Sequence, residues 1–227
     1  MLSSVDVTIN GKLILSDINI ELKKGVNLIL GPNGSGKTTL LRTLIGMLKP
    51  SKGFIAFHDK IKEIGYSPAE YTPVSMRVID VMRAGNNRKP LETYKEIMRS
   101  IGIIDYLYRD FSSLSSGEKR LVLLAKALSE GELVIMDEPT SNLDLKNQVR
   151  IMKIISKYKD IKDFVISTHD LDLINIADNV YLIKRGKIIK SGNSDEIADE
   201  YTLSSLYDVR IKKVFIDGKY VFLKEYF

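Results

Sequence analysis

The stretch Gly31–Thr39, GPNGSGKTT, constrains the fold more than any other part of the chain. An apolar run, Val26–Leu30, feeds it, and a helical pattern predicted over Thr38–Leu48, closed by Pro50, leaves it. Gly31, Pro32, Asn33, Gly34, Ser35, Gly36, Lys37 and Thr38 together fit G-x-x-x-x-G-K-[ST], in the strand–loop–helix setting its chemistry needs. Glycines let backbone N–H groups turn inward around a polyphosphate, and the helix N-terminus adds its positive end. In such a loop the Lys37 ammonium reaches the β/γ-phosphates and the Thr38 hydroxyl holds Mg²⁺. The segment therefore predicts a nucleotide site at the end of a sheet strand.

The rest of the chain agrees with an α/β fold. Val5–Ile9 alternates, Asn10-Gly11 supplies a tight turn, and Leu13–Leu22 alternates again, which predicts a leading hairpin. Residues 74–129 read as mostly helical, over Val78–Arg83, Leu91–Ile101 and Gly117–Leu128. Strand and helix then alternate through Leu133–Met136, Leu145–Tyr158, Asp163–Ser167, Leu171–Ala177 and Val180–Lys184. Hairpin turns are expected around Arg185-Gly186 and Asp217-Gly218. This order predicts a mainly parallel core sheet, an antiparallel N-terminal β subdomain and an inserted helical lobe. The expected division is one domain over 1–227. Its core is 1–73 with 130–227, its helical subdomain is 74–129, and its C-terminal extension is 201–227.

Composition narrows the chemistry. The 227 residues include no cysteine, which excludes disulfides, thiolate metal sites and a cysteine nucleophile. Only His58 and His169 could serve as imidazole ligands, and His58 reads as a surface or strand residue. The longest apolar run, Leu121–Ala125, is far shorter than the roughly 20 residues a membrane span requires. MLSSVDVTI lacks the features of a secretory leader, so a cytoplasmic location is expected. The net charge of +5 is spread over Lys60–Lys62, Lys157–Lys162 and Lys184–Lys190, each interrupted by apolar or acidic residues. A solvated face explains these stretches, and no nucleic-acid partner is expected.

A second half of the site lies 100 residues beyond the loop. Leu133–Met136 reads as a buried strand ending in Asp137-Glu138. There Asp137 can coordinate Mg²⁺ directly or through water, and Glu138 is placed to polarise a water attacking a γ-phosphate. Ser115 and Glu118 have capping-box spacing at the start of a helix.

Leu114-Ser115-Ser116-Gly117-Glu118, Leu133–Glu138, Ser141-Asn142-Leu143-Asp144 and Ser167-Thr168-His169-Asp170 follow the phosphate loop in order. Together they resemble the nucleotide-binding domain of ATP-binding cassette (ABC) proteins over almost the whole chain. The resemblance implies that Gly31–Thr38, with Thr39, is the Walker A loop and Leu133–Asp137 the Walker B strand. It also implies that Glu138 is the catalytic glutamate, Leu114–Glu118 the signature motif, Ser141–Asp144 the D-loop and His169 the switch histidine. On that footing Lys37, Glu138 and His169 are catalytic, and Thr38 and Asp137 hold Mg²⁺. Ser115, Ser116 and Gly117 reach ATP from the opposite subunit of a head-to-tail dimer, and Glu118 and Asp144 are further ATP-binding residues. A helix tip with a serine and glycine amides suits such an anion contact.

Three positions depart from the family pattern. Ile9 falls where an aromatic usually stacks on adenine, and no Phe or Tyr occurs in residues 1–30. Ala69 falls where a Gln is usual, leaving Glu70 as a possible substitute. Ser116 replaces a glycine, which would be strained if that position required Gly-only dihedrals.

Two classes share this engine: the ATPase subunit of a transporter, docked on a separate permease, and a soluble single-cassette ATPase. Lys37 and Ser115 stand 78 residues apart (115 − 37), without sustained heptads, which excludes the long coiled coils of DNA-maintenance members. Tyr71–Gly85 and the tail Leu203–Val209 are similar to metal-chelate importers, with a permease groove expected around Tyr66–Val81 and residues 91–110. The expected reaction is ATP hydrolysis coupled to transport.

Overall fold

The computed structural model describes residues 1–57, 63–71, 75–85 and 89–225. His58, Lys60–Lys62 and the start of the stretch after Tyr71 lie outside the described residues. The strands are β1 (Leu2–Ile9), β2 (Lys12–Ile20), β3 (Val26–Leu30), β4 (Lys52–Ile55), β5 (Ile64–Ser67), β6 (Leu133–Asp137), β7 (Asp163–Thr168), β8 (Asn179–Lys184), β9 (Lys187–Asn193), β10 (Ile211–Ile216) and β11 (Lys219–Lys224). The helices are α1 (Lys37–Leu44), α2 (Val78–Arg83), α3 (Leu91–Ser100), α4 (Ser116–Glu130), α5 (Leu145–Tyr158), α6 (Ser194–Ile197) and α7 (Glu200–Tyr207). The chain forms two compact units, Met1–His58 with Asp163–Phe227, and Asp59–Lys162.

In the first unit β3 pairs in parallel with β7 and β8, and β9 returns antiparallel to β8. Every residue of β3 is buried, as are Phe164–Thr168 of β7, the continuous apolar pattern of parallel strands covered on both sides. The one polar side chain in β3, Asn27, is satisfied: its Nδ2 donates to Lys23 O (2.7 Å) and Phe164 O (3.1 Å), and its Oδ1 accepts from Lys23 N (3.0 Å). β2, β1 and β4 make a separate antiparallel sheet in that order. Asn10-Gly11, Arg185-Gly186 and Asp217-Gly218 all adopt paired positive φ values, near 50° and 75°, the geometry of two-residue hairpin turns.

Helix α1 ends at Leu44, short of the predicted Leu48. Gly46 takes φ +77°, its N–H donates to Thr43 O (3.1 Å), and Met47 N donates to Arg42 O (2.9 Å), which is a Schellman stop. The segment predicted as a helix over Leu171–Ala177 is a 3-10 helix, Leu171–Ile176.

In the second unit β5 and β6 are parallel, with Ser67 opposite Met136. Helix α4 lies against β5 so closely that a Cβ on Gly65 would sit 1.9 Å from Ala127 O. Leu121–Ala125 and Ala127–Glu130 of α4 are all buried, so this helix is the core of the unit. Lys126 Nζ joins it to the end of α2, donating to Met82 O (3.1 Å), Ala84 O (2.5 Å) and Glu130 Oε1 (2.6 Å). Among the described residues no helix is long and apolar enough to cross a membrane.

The interrupted basic stretches are largely tied down within the chain. Lys157 Nζ donates to Ser100 O (2.8 Å), Lys162 Nζ to Gly131 O (2.5 Å) and Lys184 Nζ to Ser205 O (2.6 Å).

Candidate functional site

In the first unit the loop Gly31–Gly36 joins β3 to α1. Gly34 and Gly36 take φ +76° and +106°, so the turn into the helix passes through the left-handed region that glycine alone enters at low cost. Gly31 is needed for close approach: a Cβ there would lie 2.2 Å from Ile183 O. Lys37 is buried and folds back over the loop, its Nζ donating to Gly31 O (2.8 Å) and Pro32 O (3.1 Å). Ser35 Oγ is buried with no hydrogen-bond partner, while Asn33 and Gly34 are exposed and Thr38 and Thr39 half-buried. An anion with acceptor oxygens fits a loop of positive-φ glycines with an ammonium and an unsatisfied hydroxyl.

The same unit brings His169 to the loop. Leu30 pairs with Thr168, and Gly31 N donates to Thr168 O (3.2 Å), so the loop begins beside the residue that precedes His169. His169 is exposed, and its carbonyl accepts from Tyr207 Oη (3.2 Å). Asp170 N donates to Thr168 Oγ1 (3.0 Å), and Asp170 caps the following 3-10 helix.

In the second unit Asp137 ends β6 almost completely buried. Glu138 follows at φ +47°, a left-handed conformation that costs a non-glycine residue about 1–2 kcal/mol. Its Oε2 accepts from Ser141 Oγ (3.0 Å). Because Ser67 is in register with Met136, the stretch leading to Ala69 runs beside this strand end.

The capping box predicted at Ser115 is present. Ser115 Oγ accepts from Glu118 N (3.3 Å) and Glu118 Oε2 accepts from Ser115 N (2.8 Å). The bond from Ser115 N holds the Glu118 carboxyl below its ordinary pKa. Ser116 lies in the first turn of α4 with no positive φ, so serine is unstrained there. At Gly117 a Cβ would meet Asn147 Nδ2 at 2.3 Å, so any other residue there needs the Asn147 side chain to move. Asp144 caps α5 through Asn147 N (2.8 Å) and also accepts from Asn147 Nδ2 (3.0 Å). The helix tip, Asn147 and Asp144 are thus in one chain of contacts. Replacing Ser115 with alanine should cost about 1 kcal/mol of stability, read as a lower urea midpoint. An unchanged midpoint would show that the cap contributes nothing.

Arg120 is a residue that sequence reasoning missed. It is buried, Nη1 donates to Pro68 O and Nη2 to Ala69 O (2.7 Å), and its guanidinium lies 5.8 Å from the Tyr71 ring centroid. Desolvation lowers its pKa, and Tyr71, Asp137 and Glu138 oppose that shift. It pins the Pro68–Ala69 backbone to α4 beside a cavity of about 280 Å³ lined also by Glu70, Ser116 and Ser141. The available signal was that Arg120 directly precedes the apolar run Leu121–Ala125 in α4, and a cation buried beside such a run has to be partnered.

A glycine-rich loop between a parallel strand and a helix, with an aspartate ending another strand, defines a P-loop nucleotide-binding protein of the α/β class. The family is given by comparison. The model of the ABC transporter family matches residues 15–141. An uncharacterised ABC transporter ATP-binding protein of Methanocaldococcus jannaschii is 34% identical, the match covering 90% of this chain and 89% of the relative. The zinc import ATP-binding protein ZnuC of Pseudomonas aeruginosa is 30% identical, covering 91% and 78%. A solved structure described as a metal-chelate type ABC transporter, facing inward, superposes with a TM-score of 0.85 at 24% identity, covering 99% and 96%, and shares the fold. The chain belongs to the ABC transporter family and is an ATP-binding subunit whose hydrolysis of ATP is coupled to transport.

Proposed function

We propose that two copies, or one copy and a close relative, clamp two Mg²⁺-ATP molecules head to tail and drive a separate transmembrane permease. The observation that carries the reading is the Leu30–Thr168 register with its Gly31–Thr168 bond, which sets the phosphate loop beside the His169 segment. In this reading the amides of Gly31–Thr39 and the Lys37 ammonium bind the β/γ-phosphates, with Lys37 exchanging its loop carbonyls for phosphate oxygens. His169 donates to the γ-phosphate and orients the attack. Glu138 accepts a proton from the attacking water. Ser115, Ser116 and Gly117 of the opposite subunit complete the site, with Glu118 and Asp144 as further ATP-binding residues.

Thr38 and Asp137 are assigned to Mg²⁺. A hydroxyl and a carboxylate are hard oxygen donors, and Mg²⁺ is usually held by one or two carboxylates plus substrate phosphates. Bound there, it would neutralise charge on the phosphates. With Ala69 at the usual Gln position, that side chain contributes no ligand, and the exposed Glu70 is the nearest substitute.

Ile9 leaves the base without an aromatic stacking partner, an interaction worth about 1–3 kcal/mol per base elsewhere. ATP and GTP should bind with similar affinity in a competition titration, and a strong ATP preference would contradict this. The permease is assigned to the helical lobe, residues 74–129, in a groove around Tyr66–Val81 and 91–110. The cargo is assigned to metal-bearing solutes, supported by the 30% identity to a zinc import ATPase. Purification from detergent should recover a multi-span partner with the tagged subunit. Recovery of the subunit alone, still hydrolysing ATP, would favour the soluble class.

A further inference from the structure

The two peptide planes that meet at the His169 Cα are both held by hydrogen bonds. In the plane before it, Thr168 O accepts from Gly31 N (3.2 Å), the first amide of the phosphate loop. In the plane after it both polar atoms are engaged. Asp170 N donates to Thr168 Oγ1 (3.0 Å), and His169 O accepts from Tyr207 Oη (3.2 Å). A peptide unit is planar, so only φ and ψ of His169 connect the two planes. Holding both planes therefore fixes the direction in which the imidazole leaves the backbone. Packing cannot supply that direction, because His169 is exposed and borders a cavity of about 240 Å³ that it shares with Leu171, Tyr207, Ile211 and Lys224.

Tyr207 differs from the other groups that hold these planes. It comes from α7 in the C-terminal extension, 38 residues further along the chain. Its hydroxyl is in turn referenced to the strands around the phosphate loop. Leu203 and Leu206 are fully buried and seat α7 on the first unit. Lys184, the last residue of β8, donates from Nζ to Ser205 O (2.6 Å) and Asp208 Oδ1 (2.8 Å), which flank Tyr207 in sequence. β7 and β8 are the two neighbours of β3, with Leu30 opposite both Thr168 and Leu182. The end of α7 is thus tied to the strands on both sides of the one that feeds the loop.

We infer, on the role proposed above for His169, that Tyr207 is a positioning residue for ATP hydrolysis, its hydroxyl setting the His169–Asp170 peptide and through it the imidazole. The C-terminal extension thereby takes part in the chemistry. In that reading the loop amides and Lys37 carry nucleotide binding, and His169 orients the attack. A loss at Tyr207 therefore appears in kcat and leaves KM for ATP nearly unchanged.

The test uses the full-length chain and Tyr207→Phe, which keeps the ring and removes only the hydroxyl. Turnover should fall about tenfold, inside the roughly 10²-fold that a 1 Å misplacement near the reacting atoms costs, with KM for ATP changed less than about twofold. A double-mutant cycle with His169→Ala separates positioning from a general structural role. Once residue 169 is alanine, Tyr207→Phe should change turnover by less than about twofold, since the group it orients is gone. Single-turnover measurements with labelled ATP reach the slow rates of that background, and urea midpoints show that each variant is folded. Turnover lowered by the same factor in both backgrounds would overturn the inference, as would a raised KM with kcat unchanged. Full turnover in Tyr207→Phe with His169→Ala impaired would also overturn it and leave His169 in its role. Full turnover in His169→Ala would remove His169 from the chemistry, and the part of Tyr207 with it.

Discussion

Glu138→Gln should lower ATP turnover by about 10²–10⁴, the range that a positioned general base supplies, while leaving ATP binding in place. The substitution keeps the length of the side chain and can keep the contact with Ser141 Oγ, so the strained turn at φ +47° is retained. What it removes is the carboxylate's ability to take a proton from water. ATP should therefore persist on the protein, and dimers should accumulate, because the clamp opens only after hydrolysis in this reading. Single-turnover measurements separate the steps. Turnover within threefold of the original protein would remove Glu138 from the chemistry, whatever its conformation.

Gly65→Ala should cost 3 kcal/mol or more, a value confined to severe packing or backbone defects. The added Cβ would lie 1.9 Å from Ala127 O, and that atom is backbone in the middle of a buried helix rather than the tip of a flexible side chain. Gly131, the C-cap of α4, is packed as tightly on the same strand, a Cβ there lying 2.0 Å from Gly65 N. The strand would have to leave α4 and weaken its pairing with β6. The variant should accumulate poorly and unfold at markedly lower urea. A midpoint within experimental error of the original protein would show that β5 shifts at no cost.

Much of this was legible in the residues because local chemistry decided it. Asn10-Gly11, Arg185-Gly186 and Asp217-Gly218 announce turns that only particular dihedrals satisfy, and the structure has all three. The Ser115–Glu118 spacing announced its capping box, and the apolar runs Val26–Leu30 and Leu133–Met136 announced buried parallel strands. Helix α1 is four residues shorter than its sequence pattern predicts, because Gly46 ends it before Pro50 can. Leu171–Ile176 has the apolar content of an α-helix, but the 3-10 geometry is not encoded in that content.

What stayed hidden depends on contacts between distant residues. Nothing near Arg120 says that its guanidinium bonds backbone carbonyls some 50 residues earlier. Nothing near Gly117 says that the Asn147 side chain lies against it. The positive φ of Glu138 is equally silent, since glutamate gives no hint of left-handed backbone.

The head-to-tail clamp can be tested by crosslinking between different chains. One Glu138→Gln preparation carries Asn33→Cys in the phosphate loop and another carries Ser116→Cys at the tip of α4, each otherwise free of cysteine. Mixed and treated with a short bis-maleimide, they should yield the mixed dimer when Mg²⁺-ATP is added and little without it. Mixed dimer that forms equally without nucleotide, or never forms although both chains bind ATP, would contradict the account.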